Sequence, residues 1–222
     1  MPDTTWHPEA VVEPKPGRRL GGRPSRTDEL TDERLGAAAL AVIREQGAEG
    51  LTRARAAELA GVSARATYRL APSADDLVAL AVNEWQRGWA PPSDTGRWKQ
   101  DLIDWCDATL AHMRAHPGLV PASRQIRSDR LSDAGGPTVQ RAAGLLTTHA
   151  GLDESTAMDV IGVLGMHCLA WELTISASER LAEMSMDPSL VAEHIAFLER
   201  GFHRGIGWIL DGVTSDQRGR HT

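Results

Sequence analysis

Apolar residues recur along this chain at steps of three and four almost from end to end. The first such stripe is Leu35, Ala38, Ala39, Val42 and Ile43, which predicts a helix with one buried face. Thr31 can cap it, Asp32 and Glu33 suit the positive end of its dipole, and Gly47 ends it. Two short helices follow. Thr52 can cap the first, whose Ala54, Ala56, Ala57 and Ala60 suit a close helix crossing, and Gly61 supplies the left-handed residue that ends it. Val62 can plug the corner, and Ser63 can cap the second, Ala64 to Leu70, which Pro72 stops. A fourth helix starts at Ser73, with Asp75 and Asp76 in its first turn, and runs through Leu77, Leu80, Ala81 and Trp85 to about Trp89, before Pro91 and Pro92.

Beyond Trp98 every strong pattern is helical, with no strand-like alternation. Helices are predicted at about 96–115, 120–130, 137–150, 154–183 and 188–211, punctuated by His116-Pro117-Gly118, Gly135-Gly136-Pro137, Gly151 and Asp187-Pro188. The expected fold is all-α: a three-helix head containing a helix-turn-helix, then a helical bundle. Between Val160 and Ile175 the penultimate helix is apolar nearly all round, which predicts an interior position. The last helix carries a continuous stripe, Val191, Ile195, Leu198, Phe202, Ile206 and Ile209. Gly162, Gly165, Gly201, Gly205 and Gly207 lie inside these two helices, each costing roughly 1 kcal/mol relative to Ala. Close backbone approach or a local kink would offset that.

Two short helices around a Gly-containing corner, with arginines on the second, form the grammar of a DNA reader. A second helix of about two turns fits the major groove, and Arg65, Thr67, Tyr68 and Arg69 are the groups able to reach phosphates and base edges. Gly47, Leu51, Thr52, Ala57, Ala60, Gly61, Val62, Ser63, Tyr68, Arg69, Ser73 and Leu77 together resemble the TetR-type repressors of bacteria, locally over about residues 31–90. The chain departs from that pattern at Ala56, Ala66, Thr67, Leu70-Ala71 and Ala74, and Ala66 and Ala74 remove two phosphate contacts usual in the family. The resemblance implies DNA contacts from Thr52, Arg53, Ser63, Ala64, Arg65, Thr67, Tyr68 and Arg69. It also implies a homodimer through the two C-terminal helices, a double-stranded operator with inverted repeats, and release by a small ligand.

Charge agrees only when it is divided along the chain. The whole carries 24 Lys+Arg against 30 Asp+Glu, but residues 1–72 hold 11 basic and 10 acidic side chains, so the acidity lies in the second part. Lys15, Arg18, Arg19, Arg23 and Arg26 form an acid-free stretch too rich in Pro and Gly to fold alone. Residues 1–30 are therefore expected to be a flexible basic arm, with Arg23 able to enter a narrow minor groove; a solvated tail is the alternative. The head then spans 31–78, a ligand-binding and dimerisation domain 79–213, and a disordered tail 214–222. The longest uncharged apolar-rich run, Val160 to Trp171, stops at Asp159 and Glu172, so no membrane partner is expected. Met1 to Gly22 lacks the apolar centre of a signal peptide. Cys106 and Cys168 read as buried free thiols of a reducing compartment, which with the rest suggests a cytoplasmic protein; a redox pair is the alternative.

Seven tryptophans stand against one tyrosine and two phenylalanines. Trp85, Trp89, Trp105, Met113, Met166, His167, Cys168 and Trp171 are the candidate lining of an apolar cavity for an apolar or aromatic ligand, with ordinary core packing as the competing account. His112 and His116 have the spacing of a metal-binding pair, with His149 and His167 to complete it, but no acidic or cysteine cluster lies close by in sequence, and no metal or cofactor is expected. There is no phosphate loop and no nucleophile elbow. The chain is read as a ligand-responsive transcriptional repressor rather than an enzyme. The alternatives are a constitutive DNA binder whose C-terminal helices only dimerise, and a small helical transferase using His167 and Cys168.

Overall fold

A computed structural model describes residues 30–183 and 187–220, and among them there is no strand. The elements are α1 Asp32–Gln46, a 3-10 turn at Ala48–Gly50, α2 Arg53–Leu59, α3 Ala64–Thr67, α4 Ala74–Arg87, α5 Trp98–Arg114, α6 Leu119–Ser123, α7 Gly136–Ala150, α8 Glu154–Glu183 and α9 Pro188–Arg220. The residues expected as caps are caps: Thr31, Thr52, Ser63 and Ser73 each accept a bond from a backbone N–H of the following turn. Ser73 and Asp76 close a full capping box. Hydrogen bonds from Ser73 and Ser128 hold the Asp76 carboxyl below the usual carboxylate range.

Two apolar clusters organise these helices. One is built from α1, α2, α4 and Leu119 of α6; the other from α5, α7, α8 and α9. Trp85 packs against both. Within the first, α1 crosses α4 so closely that a Cβ on Gly36 would stand 2.7 Å from the Leu80 carbonyl oxygen. Only glycine permits that approach.

Three element boundaries differ from expectation. The second short helix ends at Thr67 and continues as turns to Leu70, because the Thr67 hydroxyl bonds back to the Ala64 carbonyl and the following carbonyls serve another partner described below. Helix α6 ends at Ser123 instead of running to 130. Residues 127–132 spend their polar groups on the head: Arg127 N–H donates to Asp75, Ser128 to Asp76, and the Arg130 guanidinium pairs with Asp32 at 3.4 Å. Asn83, buried in the middle of α4, donates to the Arg130 carbonyl at 2.7 Å and accepts from Ser132 N–H at 2.9 Å. Finally, α9 runs to Arg220, so most of the stretch expected as a tail is helical.

The 127–132 segment is thus a strap between the two clusters, and Asn83 is its deepest anchor. Asn83→Ala should cost about 1–2 kcal/mol, because it removes two hydrogen bonds made by a buried amide and leaves the Arg130 carbonyl and Ser132 N–H, both at part-buried bonds, without that partner. Urea denaturation checks this; a loss below about 0.5 kcal/mol would mean that the strap reorganises freely.

The two C-terminal helices also depart from the sequence reading. Helix α8 is not interior on all sides: Val163 and Met166 are 53% and 59% exposed. By length and composition it is able to cross a membrane, Glu154–Arg180 holding a stretch of mean hydropathy 1.5. In this fold its other face packs on α5, α7 and α9. On α9 the two sides differ: the expected stripe lies buried or half-buried, with Val191, Leu198, Phe202 and Ile206 in the chain's own core, while Phe197 and Trp208, outside it, stand 64% and 70% exposed. The glycines split likewise. Gly201 and Gly205 receive the Trp171 and His167 rings of the same chain, whereas a Cβ on Gly162, Gly165 or Gly207 would meet nothing within 4 Å.

His203 on α9 donates to Asp107 on α5 at 2.9 Å. Burial opposes charge on its ring, but the bonds to the Glu199 carbonyl and to Asp107 outweigh it, and its pKa rises above the ordinary 6.5. A raised histidine contributes stability that is complete below the unfolded pKa and is lost as pH climbs through the folded one. His116 has the opposite sign: burial lowers its pKa, so its contribution is lost as pH falls through the ordinary value. Between about pH 6 and 8, His203→Gln should therefore flatten the decline of stability with rising pH. An unchanged slope in urea midpoints across that range would assign the decline to another group.

Candidate nucleic-acid interface

The head presents α3 on its outer surface through local geometry alone. Thr52 starts α2, Gly61 turns the chain at φ 67°, and Ser63 starts α3. Ala64, Arg65 and Ala66 are exposed, and so is the Tyr68 ring at 56%. Arg65 has no ion pair among the described residues. Arg55 on α2 is exposed on the same unit. Such a surface offers one planar fork and one phenol to a groove, with Thr52 and Ser63 at the starts of the two helices, where free N–H groups suit phosphate.

Three residues expected to touch DNA are otherwise engaged. Thr67 is fully buried, its hydroxyl donating to the Ala64 carbonyl at 2.7 Å and accepting from Arg53. It is a core residue, its hydroxyl satisfied by the Ala64 carbonyl and the Arg53 guanidinium. The Arg53 guanidinium lies 3.9 Å over the Tyr68 ring and donates to the carbonyls of Ala71, Pro72 at 3.3 Å and Ser73 at 3.2 Å. Arg69 donates to the Leu30 carbonyl at 2.9 Å, fastening the reading helix to the start of α1. Arg53 and Arg69 are therefore internal ties. Arg23 lies outside the described residues.

The eight expected ligand contacts do not form one cavity wall. Trp89 stacks on Trp105 at 5.3 Å, and Trp85 stacks on His112 at 5.1 Å. Each indole N–H is satisfied: Trp85 by the His112 carbonyl, Trp89 by Thr109, Trp105 by the Ala90 carbonyl and Trp171 by the Leu198 carbonyl. Met113 and Cys168 are buried in the same packed core, and Met166 points away from it into solvent. Clefts open elsewhere. One of about 430 Å³ lies along α7 and α8, lined among others by Gln140, Thr147 and Met158. Another of about 410 Å³ lies between the end of α4 and the start of α7, and Trp89 is the one expected contact that borders it.

His112 and His116 do not converge on a metal. His112 Nε2 bonds the Trp85 carbonyl, His116 Nδ1 bonds the His112 carbonyl, and His149 pairs with Asp94. Among the described residues no group of three or more His, Cys, Asp and Glu side chains could hold a metal ion. His167 and Cys168 also diverge, as adjacent residues on a helix do. His167 stacks on Phe202 and bonds its carbonyl on α9, while Cys168 faces Cys106 on α5. Both thiols are buried and unpaired by a disulfide, and the neighbouring Cys168 together with burial pushes the Cys106 thiol far up.

This arrangement is shared with solved structures along nearly the whole of their length. ActR of Streptomyces coelicolor, a TetR family protein solved with (S)-DNPA, superposes with a TM-score of 0.64 at 20% identity, over 85% of this chain and 98% of that one. This is the TetR fold. A TetR variant of Acinetobacter baumannii, solved in complex with minocycline, gives 0.63 at 18% identity over 83% and 96% of the two chains. BioQ bound to its double-stranded DNA operator gives 0.61 at 16% identity over 84% and 99%. In sequence, the HTH-type transcriptional repressor DrrR1 of Streptomyces coeruleorubidus is 33% identical over 108 residues, 47% of this chain; that match spans 40% of the repressor. No protein-family model matches the chain.

Proposed function

We propose that this chain is a TetR-type transcriptional repressor that holds an inverted-repeat DNA operator as a homodimer and releases it on binding a small apolar or aromatic ligand. The observation that carries this reading is the exposed Arg65 and Tyr68 face of α3, set outward by two capped helices and a left-handed glycine. The superposition on an operator-bound protein supports it. Dimerisation is supported by the outward face of α8 and α9, where Val163, Met166, Phe197 and Trp208 are exposed beside glycines that leave room for a second backbone. The two buried thiols fit a reducing cytoplasm. His167 and Cys168 point in two directions, which favours the repressor reading over a transferase built on that pair.

Selection of bound duplexes from a random pool tests the reading. It should enrich an inverted repeat with half-site centres about one helical turn apart or more, near 34 Å or beyond, and binding should weaken steeply with salt. Enrichment of no sequence would overturn it. Within the enriched site, Arg65→Ala should cost roughly 1–3 kcal/mol and relax preference at one base position, because a guanidinium there can bond guanine at two atoms. Tyr68→Phe should instead weaken all sequences alike. Unchanged preference in the Arg65 variant, read by competition between duplexes, would pass base recognition to another side chain.

A further inference from the structure

We propose that the cleft between the end of α4 and the start of α7 binds a planar aromatic acid carrying a hydroxyl or amine donor at its far end. The proposal names the effector class of the repressor reading and rests on that reading only for its consequence, release of DNA. The cleft measures about 410 Å³, and its walls include Trp89, Pro91 and Pro137, three rigid apolar surfaces suited to a flat ring. At one end stands Arg141. It is exposed and reaches Asp94 only at 3.6 Å, while the other oxygen of that carboxylate is taken by His149 at 2.8 Å. A planar fork so loosely paired suits a carboxylate.

At the other end is Gln86, whose amide oxygen is shut from solvent without a partner. Gly135 packs beside it: a Cβ on that residue would stand in ordinary contact, 3.8 Å from the Gln86 Cγ and 3.4 Å from the Trp89 ring. An unpartnered amide oxygen gains a bond if the side chain turns toward a donor in the cleft. From Gly135 to Arg141 is six residues of α7, roughly 9 Å at 1.5 Å per residue. That separation calls for an extended ligand with acid and donor at opposite ends. The site also adjoins the strap: Ala134, on its wall, follows two residues after Ser132, whose N–H is held by Asn83 of α4. An occupant wedged between α4 and residues 134–141 therefore presses on both sides of the junction with the head.

Calorimetric titration of the full chain with para-hydroxycinnamate tests this, with cinnamate as the probe lacking the donor and para-hydroxycinnamyl alcohol as the probe lacking the acid. One para-hydroxycinnamate should bind per chain, with each of the other two about tenfold weaker. Arg141→Gln, a surface change, should bring the acid down to the affinity of the alcohol and leave the alcohol unchanged. Ala134→Phe, which fills the cleft from a half-buried position, should abolish all three. No binding of para-hydroxycinnamate, equal affinity for acid and alcohol, or binding that survives Ala134→Phe would overturn the proposal. The two readings fail separately. A chain that enriches no duplex but shows this titration pattern loses the repressor reading and keeps the site, whereas one that enriches an operator and binds none of the probes keeps the reading and loses the site.

Discussion

A chain carrying Val163→Glu together with Met166→Glu will sediment as a monomer at micromolar concentration and bind its operator about a thousandfold more weakly than the parent. Both side chains stand in solvent on α8, beside Gly162 and Gly165, whose missing side chains face open space. The fold of the single chain therefore tolerates the change. In a helix-on-helix dimer the same positions become the middle of an apolar seam, where two carboxylates per subunit have no Lys or Arg on α8 nearer than Arg180. The loss at the operator follows from tethering. Two heads on one rigid dimer give the second contact an effective concentration that is worth a factor of about 10² to 10⁴, and separated chains forfeit it. Sedimentation and duplex titration on the same samples decide the matter: a monomer of full affinity would show that one head suffices, and an intact dimer would place the interface elsewhere.

What the sequence disclosed about this molecule was local. Thr31, Thr52, Ser63 and Ser73 are legible as caps because each acts on a residue three positions on, and Gly61 is legible because one conformation is open to it that others avoid. The ties of Arg53 and the strap at 127–132 were not legible. Their partners lie 14 to 20 and 47 to 98 residues away along the chain, and neither leaves a periodic trace. The tryptophans show a third kind of limit. Composition placed them in an apolar interior, but whether an indole lines a cavity or fills one depends on its N–H, and each of the four met a carbonyl or hydroxyl of the packed core. In α9 periodicity did separate Phe202, on the stripe and facing inward, from Phe197, off the stripe and facing out, but it carried no sign of what the exposed Phe197 and Trp208 are for.

Arg53→Ala will destabilise the protein by about 2–3 kcal/mol and weaken operator binding by more than tenfold, while the slope of log K against log salt stays that of the parent. The guanidinium gathers the carbonyls of Ala71, Pro72 and Ser73, the link between α3 and the cap of α4, and it supports the Tyr68 ring from beneath. Without it, three carbonyls lose a charged donor and the exposed phenol loses its platform, so the reading face is displaced even though no contact with DNA has been removed. Arg53→Lys should recover little, because a single ammonium cannot address three carbonyls and a ring at once. A phosphate contact would behave in the opposite way on both counts: lysine would restore most of the affinity, and the alanine variant would lower the salt slope by about 0.9. Equilibrium unfolding together with duplex titrations over a salt series separates the two roles, and a reduced slope with unchanged stability would return Arg53 to the DNA.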